Sequence, residues 1–122
     1  MNGKEFPGLH LIGDFYECNC DSKFLVDLEL IKKNISQLVE TVDLTSVASQ
    51  FHKFEEGGVT GIIALAESHI AVHTWPEVKY VSTDVYVCSY STDNRPQARE
   101  LFRHLKKLFL PARIKLQELE RR

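Results

Sequence analysis

One stretch of eleven residues holds most of the side chains that could do chemistry. From Glu67 to Glu77 the chain reads ESHIAVHTWPE, which contains a serine, two histidines, a tryptophan and two glutamates. Serine beside a base is a candidate nucleophile, and histidine titrates near neutral pH and can act as an acid or a base. Cys88 follows in the next apolar stretch and is a candidate proton donor. The pattern indicates nucleophilic or proton-transfer chemistry.

The spacing argues against two common kinds of site. His69 and His73 would lie about 13 Å apart on an extended strand, too far to share one ion, so we predict no metal site. There is no GxSxG motif of a serine hydrolase. The three cysteines form neither a disulfide framework nor a CxxC pair. A structural interpretation stays open, in which Glu67 and Ser68 form a hairpin turn and the histidines are strand residues.

Length and composition predict a single domain over residues 1–122. The chain has a mass of 14.0 kDa, with 43% hydrophobic and 26% charged residues. A chain of this size has little surface left to enclose a deep cleft, so an enzyme would need a cofactor or a second subunit. The net charge of −2 argues against nucleic acid. No apolar run is long enough for a membrane span and no apolar leader begins the chain, so we expect a cytoplasmic protein.

The periodicity of apolar residues predicts an α+β fold. Helices are predicted over 22–42 and from Asn94 and Pro96 onward. Strands are predicted over 9–18, over 46–54 and, as a short last strand, over 112–119. Between them, GVTGIIALA, ESHIAVHTW and YVSTDVYVCS are joined by connections too short for helices, which favours antiparallel neighbours.

Strict alternation assigns two faces to the last two of these stretches. One face is apolar, and the other carries His69, Ala71, His73 and Trp75 from one stretch and Ser82, Asp84, Tyr86 and Cys88 from the next. We expect a two-layer α/β sandwich in which two helices pack on the apolar face of a mostly antiparallel sheet. The polar face then needs another cover.

The run GVTGIIALAESHIAVHTWPE, with LHLIGDFYEC and FHKF before it and DVYVC after it, resembles the S-adenosylmethionine decarboxylase proenzymes of bacteria and archaea. The resemblance extends from about Leu9 to Cys88, and the last third of the chain matches only in pattern. Three features depart from the family. Thr60 stands in place of a serine, Ser89 stands in place of a glycine, and a tryptophan common after Cys88 is missing.

The resemblance implies that the chain cuts itself between Glu67 and Ser68, giving a β chain of residues 1–67 and an α chain of residues 68–122. Ser68 would become a pyruvoyl group, which forms a Schiff base with the substrate amine and withdraws electrons from the bond to the carboxylate. The implied reaction converts S-adenosylmethionine to decarboxylated S-adenosylmethionine and CO2, for spermidine synthesis.

The resemblance also implies roles for further residues. His73 would be the base of the processing step, assisted by the hydroxyl of Thr60, and Cys88 would return a proton to the substrate carbon. Substrate contacts would come from Phe54 on the adenine, Glu77 on the ribose and the backbone of Leu65.

Spacing adds a prediction about assembly. Ser68 and His73 are five residues apart, about 16 Å on an extended strand, so one subunit does not bring them together. We expect Ser68 and Cys88 of one protomer to meet Phe54, Thr60, His73 and Glu77 of another. This agrees with the homodimer that the resemblance implies, an αββα sandwich with shared active sites.

Two alternatives remain open at this point. Pyruvoyl-dependent decarboxylases of arginine or ornithine share the fold, and the cofactor chemistry does not depend on the substrate side chain. A dimeric binding module that keeps the fold but never cleaves is the alternative of another class.

Overall fold

Six antiparallel strands form one sheet in the computed structural model, which describes residues 6–90 and 92–121. The spatial order is β2-β3-β4-β5-β1-β6. The strands are β1 (Gly8–Cys18), β2 (Ser46–Lys53), β3 (Val59–Leu65), β4 (Ser68–Trp75), β5 (Tyr80–Val87) and β6 (Pro111–Arg121), and the helices are α1 (Lys23–Val26), α2 (Leu28–Thr41) and α3 (Arg95–Phe109). The sequence predicts no apolar leader at the start of the chain. Residues 1–5 of that segment lie outside the described ranges.

The core lies between one face of the sheet and the helices, as the alternation predicts. Ile70 and Val72 of β4 and Val81 and Val85 of β5 are all at most 2% exposed. The buried stripe of α3 is Ala98, Leu101, Phe102, Leu105 and Phe109, and that of α2 is Ile31, Ile35 and Val39. These spacings give each helix a single apolar side toward the sheet. The two-layer α/β sandwich is therefore confirmed.

The prediction of one helix over 22–42 is wrong in detail, because the chain breaks at Asp27. This residue has extended backbone angles, φ −89° and ψ 102°, and its carboxylate accepts the backbone N–H of Leu30 at 3.1 Å. Asp27 therefore caps the N-terminus of α2 and separates it from the four-residue α1. The layer holds three helices instead of two, and within the described ranges none is long and apolar enough to cross a membrane.

The last strand is longer than the sequence predicts. α3 ends at Phe109, its C-cap Leu110 has a φ of +50°, and the chain reverses directly into an eleven-residue β6. β6 pairs with β1 from Cys18↔Pro111 to Gly8↔Arg121 and forms one edge of the sheet. Its residues are almost all exposed, so its hydrophobic pattern is weak. A weak pattern predicts too short a strand.

The second face of the sheet, which we call the open face, carries no helix of the described residues. Its central residues are His10, Asp14 and Tyr16 of β1, Thr60 and Ile62 of β3, His69, Ala71, His73 and Trp75 of β4, and Tyr80, Ser82, Asp84 and Tyr86 of β5. The hydroxyl of Tyr80 donates to Asp14, and His10 pairs with Asp84 at 2.9 Å. The polar face predicted for β4 and β5 is thus uncovered in the single chain.

We predict that Gly13→Ala destabilises the chain by about 1–3 kcal/mol, the usual cost of overpacking a core. A β-carbon at Gly13 would lie 2.5 Å from the Phe102 ring and 2.8 Å from the hydroxyl of Thr83. Urea unfolding, in a Ser68→Ala background that removes the predicted cleavage, measures the loss.

Gly61→Ala is the matched control for this prediction. A β-carbon there meets the ring of Phe51, which packs against the core from the edge strand β2 but is only partly buried, so the ring can shift at a lower cost than the buried ring of Phe102. We expect a loss below about 1 kcal/mol. A larger loss at Gly61 than at Gly13 would contradict this description of the core.

Candidate active site

The predicted cleavage point lies at the hairpin turn between β3 and β4. Leu65 and Ser68 are the last pair of the two strands, and Ala66 and Glu67 form the turn. The Glu67 side chain accepts the backbone N–H of Tyr90 at 2.8 Å, which fixes the turn. Ser68 has a φ of +121°, a conformation that is costly for any residue with a side chain. The bond before Ser68 is therefore held in a strained backbone.

Cys88 lies beside this strained serine because of the register of β4 and β5. Ser68 pairs with Val87, so the next residue, Cys88, comes level with the turn. Its Sγ lies 2.9 Å from Ser68 Oγ, and its backbone N–H donates to the carbonyl oxygen of Glu67 at 3.0 Å. A donor on this oxygen polarises the carbonyl and favours negative charge on it. The three residues Glu67, Ser68 and Cys88 are called the turn cluster below.

The segment after Cys88 is anchored by hydrogen bonds to the start of α3. The side-chain amide of Asn94 donates to the carbonyl of Cys88 at 2.9 Å. The backbone N–H of Asn94 donates to the hydroxyl of Ser89 at 3.2 Å, and that hydroxyl donates to the carbonyl of Pro7 at 3.3 Å. Ser89, which replaces the family's glycine, is only 3% exposed. Its hydroxyl therefore has a structural function in holding Cys88.

His73 lies near the other end of β4 and pairs with Thr60 across β3. His73 Nδ1 and Thr60 Oγ1 are 3.0 Å apart. When Nδ1–H donates to the hydroxyl, Nε2 carries the free lone pair and can accept a proton. The threonine thus retains the hydroxyl contact to the imidazole that a serine would make.

A cavity of about 490 Å³ opens beside this pair. It is lined by Phe54, Glu56, Gly58, Thr60, His73, Thr74, Trp75 and Glu77. The rings of Phe54 and Trp75 are 45% and 40% exposed, so both offer apolar surface to a flat ligand. The two carboxylates favour a ligand that carries hydroxyl groups or positive charge. Phe54, Thr60, His73 and Glu77 are called the cavity cluster below.

The described part of the chain brings the predicted site residues together as two separate groups. The turn cluster and the cavity cluster lie at opposite ends of β4, about 16 Å apart at the usual rise of a strand. Ser68 contacts Cys88 and His73 contacts Thr60. Leu65 is 5% exposed and its side chain lies in the core beside the turn, so this side chain offers no surface to a ligand.

Sequence reasoning missed two residues beside these groups. Glu56 lines the cavity but is not among the substrate contacts that the sequence predicts. Tyr86 was placed on the polar face only, whereas the Cys88 thiol donates to its hydroxyl at 3.5 Å. Alternation already places Tyr86 two residues before Cys88 on one face, and this was the available signal.

The other two cysteines belong to a different part of the fold. Burial raises the pKa of the Cys18 thiol to about 12, and the thiol donates to the carbonyl of Phe15 at 3.6 Å. Burial also raises the pKa of Cys20. Both thiols stay protonated at neutral pH, so Cys88 is the cysteine placed for chemistry.

Comparison with known proteins identifies the family. The family model described as S-adenosylmethionine decarboxylase matches residues 9–122. The chain is 37% identical over 114 residues to an S-adenosylmethionine decarboxylase proenzyme of Thermotoga petrophila, with 93% of this chain and 83% of the relative covered. It is 37% identical over 111 residues to a proenzyme of the same name from Clostridium botulinum, with 91% of this chain and 92% of the relative covered.

The fold agrees with a solved structure of the same name. The crystal structure of the adenosylmethionine decarboxylase from Aquifex aeolicus superposes with a TM-score of 0.84 at 32% identity, over 95% of this chain and 91% of that one. The matched residues include both the hairpin turn and the cavity. From its sequence and its fold, the chain belongs to the S-adenosylmethionine decarboxylase family.

Proposed function

We propose that the chain is a self-processing, pyruvoyl-dependent enzyme that converts S-adenosylmethionine to decarboxylated S-adenosylmethionine and CO2. The observation that carries the proposal is the turn cluster, in which a strained serine contacts a thiol and follows a polarised carbonyl. The relatives named S-adenosylmethionine decarboxylase proenzyme support both the reaction and the existence of a precursor form.

Processing begins with the hydroxyl of Ser68, which attacks the carbonyl carbon of Glu67. The peptide bond breaks as the ester forms, and the Cys88 N–H stabilises the negative charge on the carbonyl oxygen meanwhile. Removal of the α-proton of residue 68 then expels the Glu67 carboxylate and leaves a double bond. Water replaces the nitrogen of residue 68, which leaves as ammonia. Strain at Ser68 favours this route, because cleavage removes the constraint on its φ.

His73 of a second protomer removes the α-proton of residue 68. Within one chain His73 lies about 16 Å along β4 from Ser68, so it does not reach that proton. Thr60 holds the imidazole through Nδ1 and leaves Nε2 free to accept the proton. The pairing of Thr60 with His73 thus positions the base.

The residues of the turn cluster fit a pyruvoyl group formed from Ser68. Position 68 begins β4 directly after the hairpin turn, and a thiol is in direct contact with its side chain. When present, the group supplies a carbonyl that condenses with the substrate amine and acts as an electron sink during loss of CO2. Cys88 donates the proton that replaces the carboxylate on the substrate carbon.

The residues that line the cavity provide the chemistry that an adenosyl substrate requires. Phe54 and Trp75 offer aromatic surface for the adenine, Glu77 accepts from the ribose hydroxyls, and Glu56 adds a second negative charge. A sulfonium and an ammonium group are both attracted to the negative charges of Glu56 and Glu77. A basic amino acid would leave the two rings largely uncovered, which favours the adenosyl substrate over arginine or ornithine.

A homodimer completes the site. The open face is uncovered in the single chain, and the two clusters lie at opposite ends of β4, the strand at its centre. Antiparallel apposition of two such faces about a two-fold axis places the turn cluster of one protomer at the cavity cluster of the other. Two equal sites result, each built from both chains.

The proposed function predicts that the purified chain appears as two fragments and releases CO2 from S-adenosylmethionine, and much less from arginine or ornithine. Ser68→Ala should stop both cleavage and CO2 release, because it removes the nucleophile. Cys88→Ala should still cleave, since its backbone N–H remains, but should turn over at least about a hundredfold more slowly. Gel electrophoresis, intact mass and CO2 capture measure these outcomes. An uncut, inactive wild-type chain would reject the enzyme and favour a binding module.

Backbone strain at position 68 predicts a stability difference between two variants that do not cleave. Ser68→Gly relieves the strain at φ +121°, whereas Ser68→Ala retains it. We expect the glycine variant to be more stable by about 1 kcal/mol, a few degrees in Tm. Calorimetry of the two proteins at equal concentration gives the difference. Equal melting temperatures would show that Ser68 is not strained.

The composite site predicts complementation between two inactive chains. In a heterodimer of His73→Ala and Cys88→Ala, one site carries both changes and the other carries neither. Random pairing during co-expression yields about half heterodimers, and one of the two sites in each heterodimer is intact. About a quarter of all sites should therefore be active. CO2 release per protein is compared with that of each variant alone. Activity no higher than the mean of the two single variants would place the whole site within one chain.

A further inference from the structure

The thiol of Cys88 has a second hydroxyl partner that the proposed reaction leaves in place. Its Sγ lies 2.9 Å from Ser68 Oγ and 3.5 Å from the hydroxyl of Tyr86. During processing the oxygen of Ser68 departs with the carboxylate of Glu67. In the processed enzyme Tyr86 therefore retains the contact to the thiol that Ser68 has lost.

The ring of Tyr86 is held on the open face by groups from three other strands. The rings of His10 on β1 and His69 on β4 have their centroids 5.5 Å and 5.7 Å from its own, and the guanidinium of Arg121 on β6 lies 5.0 Å from its centroid. Asp84, on the same strand, is paired with His10 at 2.9 Å. These contacts fix the direction in which the phenol oxygen points.

The surroundings also keep the phenol protonated. The hydrogen bond to Cys88 and burial raise the pKa of Tyr86, and the charge of Arg121 opposes this only in part. A protonated phenol can donate to a thiolate as well as accept from a thiol. The same contact therefore serves Cys88 before and after it gives up its proton.

We propose that Tyr86 is the positioning residue of Cys88, an assignment that rests on the proposed function. While the thiol is protonated, the phenol oxygen holds it toward residue 68. When the S–H bond breaks and a C–H bond forms on the substrate carbon, the phenol O–H stabilises the thiolate that results. Water then returns a proton to sulfur, and Tyr86 ends the cycle in its original state.

A thiol-reactivity experiment tests the contact without any processed enzyme. Alkylation of Cys88 by iodoacetamide is followed by peptide mass spectrometry as a function of pH, in Ser68→Ala and in Ser68→Ala with Tyr86→Phe. A phenol that donates to the thiolate favours that form, so its loss should raise the half-maximal pH of alkylation by about half a unit or more. Tyr16→Phe in the same background is the control, because Tyr16 lies on the open face against Tyr80 and Arg113.

Kinetics of the processed enzyme test the role. Tyr86→Phe should cleave at the wild-type rate and keep the KM for S-adenosylmethionine, while kcat falls about tenfold. Tyr16→Phe should change none of the three. If the wild-type enzyme is active but Tyr86→Phe has a wild-type kcat or an unshifted alkylation profile, the role of Tyr86 is overturned and the proposed function stands. If the wild-type chain neither cleaves nor releases CO2, the proposed function falls and the role of Tyr86 falls with it.

Discussion

The register of β4 against its two neighbours is the constraint on which the site depends. Ser68 is level with Leu65 on β3 and Val87 on β5, which brings Cys88 to the turn, and the same ladder places His73 opposite Thr60. A slip of one residue in β4 would move His73 to the core face, where it would be buried among valines and isoleucines. The burial of Ile70, Val72 and Thr74 therefore also fixes the chemistry on the other side of β4.

The two-residue period of a strand explains why the two clusters are separated within one chain. Residues 69, 71, 73 and 75 share the open face, so Trp75 and His73 stand together at one end of β4 while Ser68 stands at the other. A strand cannot fold back on itself, and the distance of about 16 Å between the ends is fixed by its rise per residue. In the proposed homodimer, a second antiparallel copy reverses the order of the two ends. The proposed dimer thus accounts for both the uncovered polar face and the divided site.

Much of this arrangement was predictable from the sequence, because a sheet with one buried face imposes strict alternation on its strands. The two faces of β4 and β5, the antiparallel hairpins and the apolar stripe of α3 all follow from residue spacing. The break at Asp27 was not predicted, since an acidic residue suits both the first turn and the N-cap of a helix. The contacts of Cys88 with Glu67 and Tyr86 were not predicted either, because they depend on a register that only the folded hairpins define.

The separation of the turn cluster from the cavity, at opposite ends of β4, has a consequence for substrate choice. In the proposed reaction the turn cluster cuts the chain and moves protons, whereas the cavity holds the adenosyl part of the substrate. Phe54, Glu56, Trp75 and Glu77 line the cavity at the far end of β4, about 16 Å from Ser68 at the usual rise of a strand. Substitutions in the cavity can therefore change what is bound while leaving the proposed electron sink intact. The proposed chemistry at position 68 depends on a primary amine and a carboxylate and on nothing further along the substrate, so the choice between an adenosyl substrate and arginine or ornithine falls to the cavity.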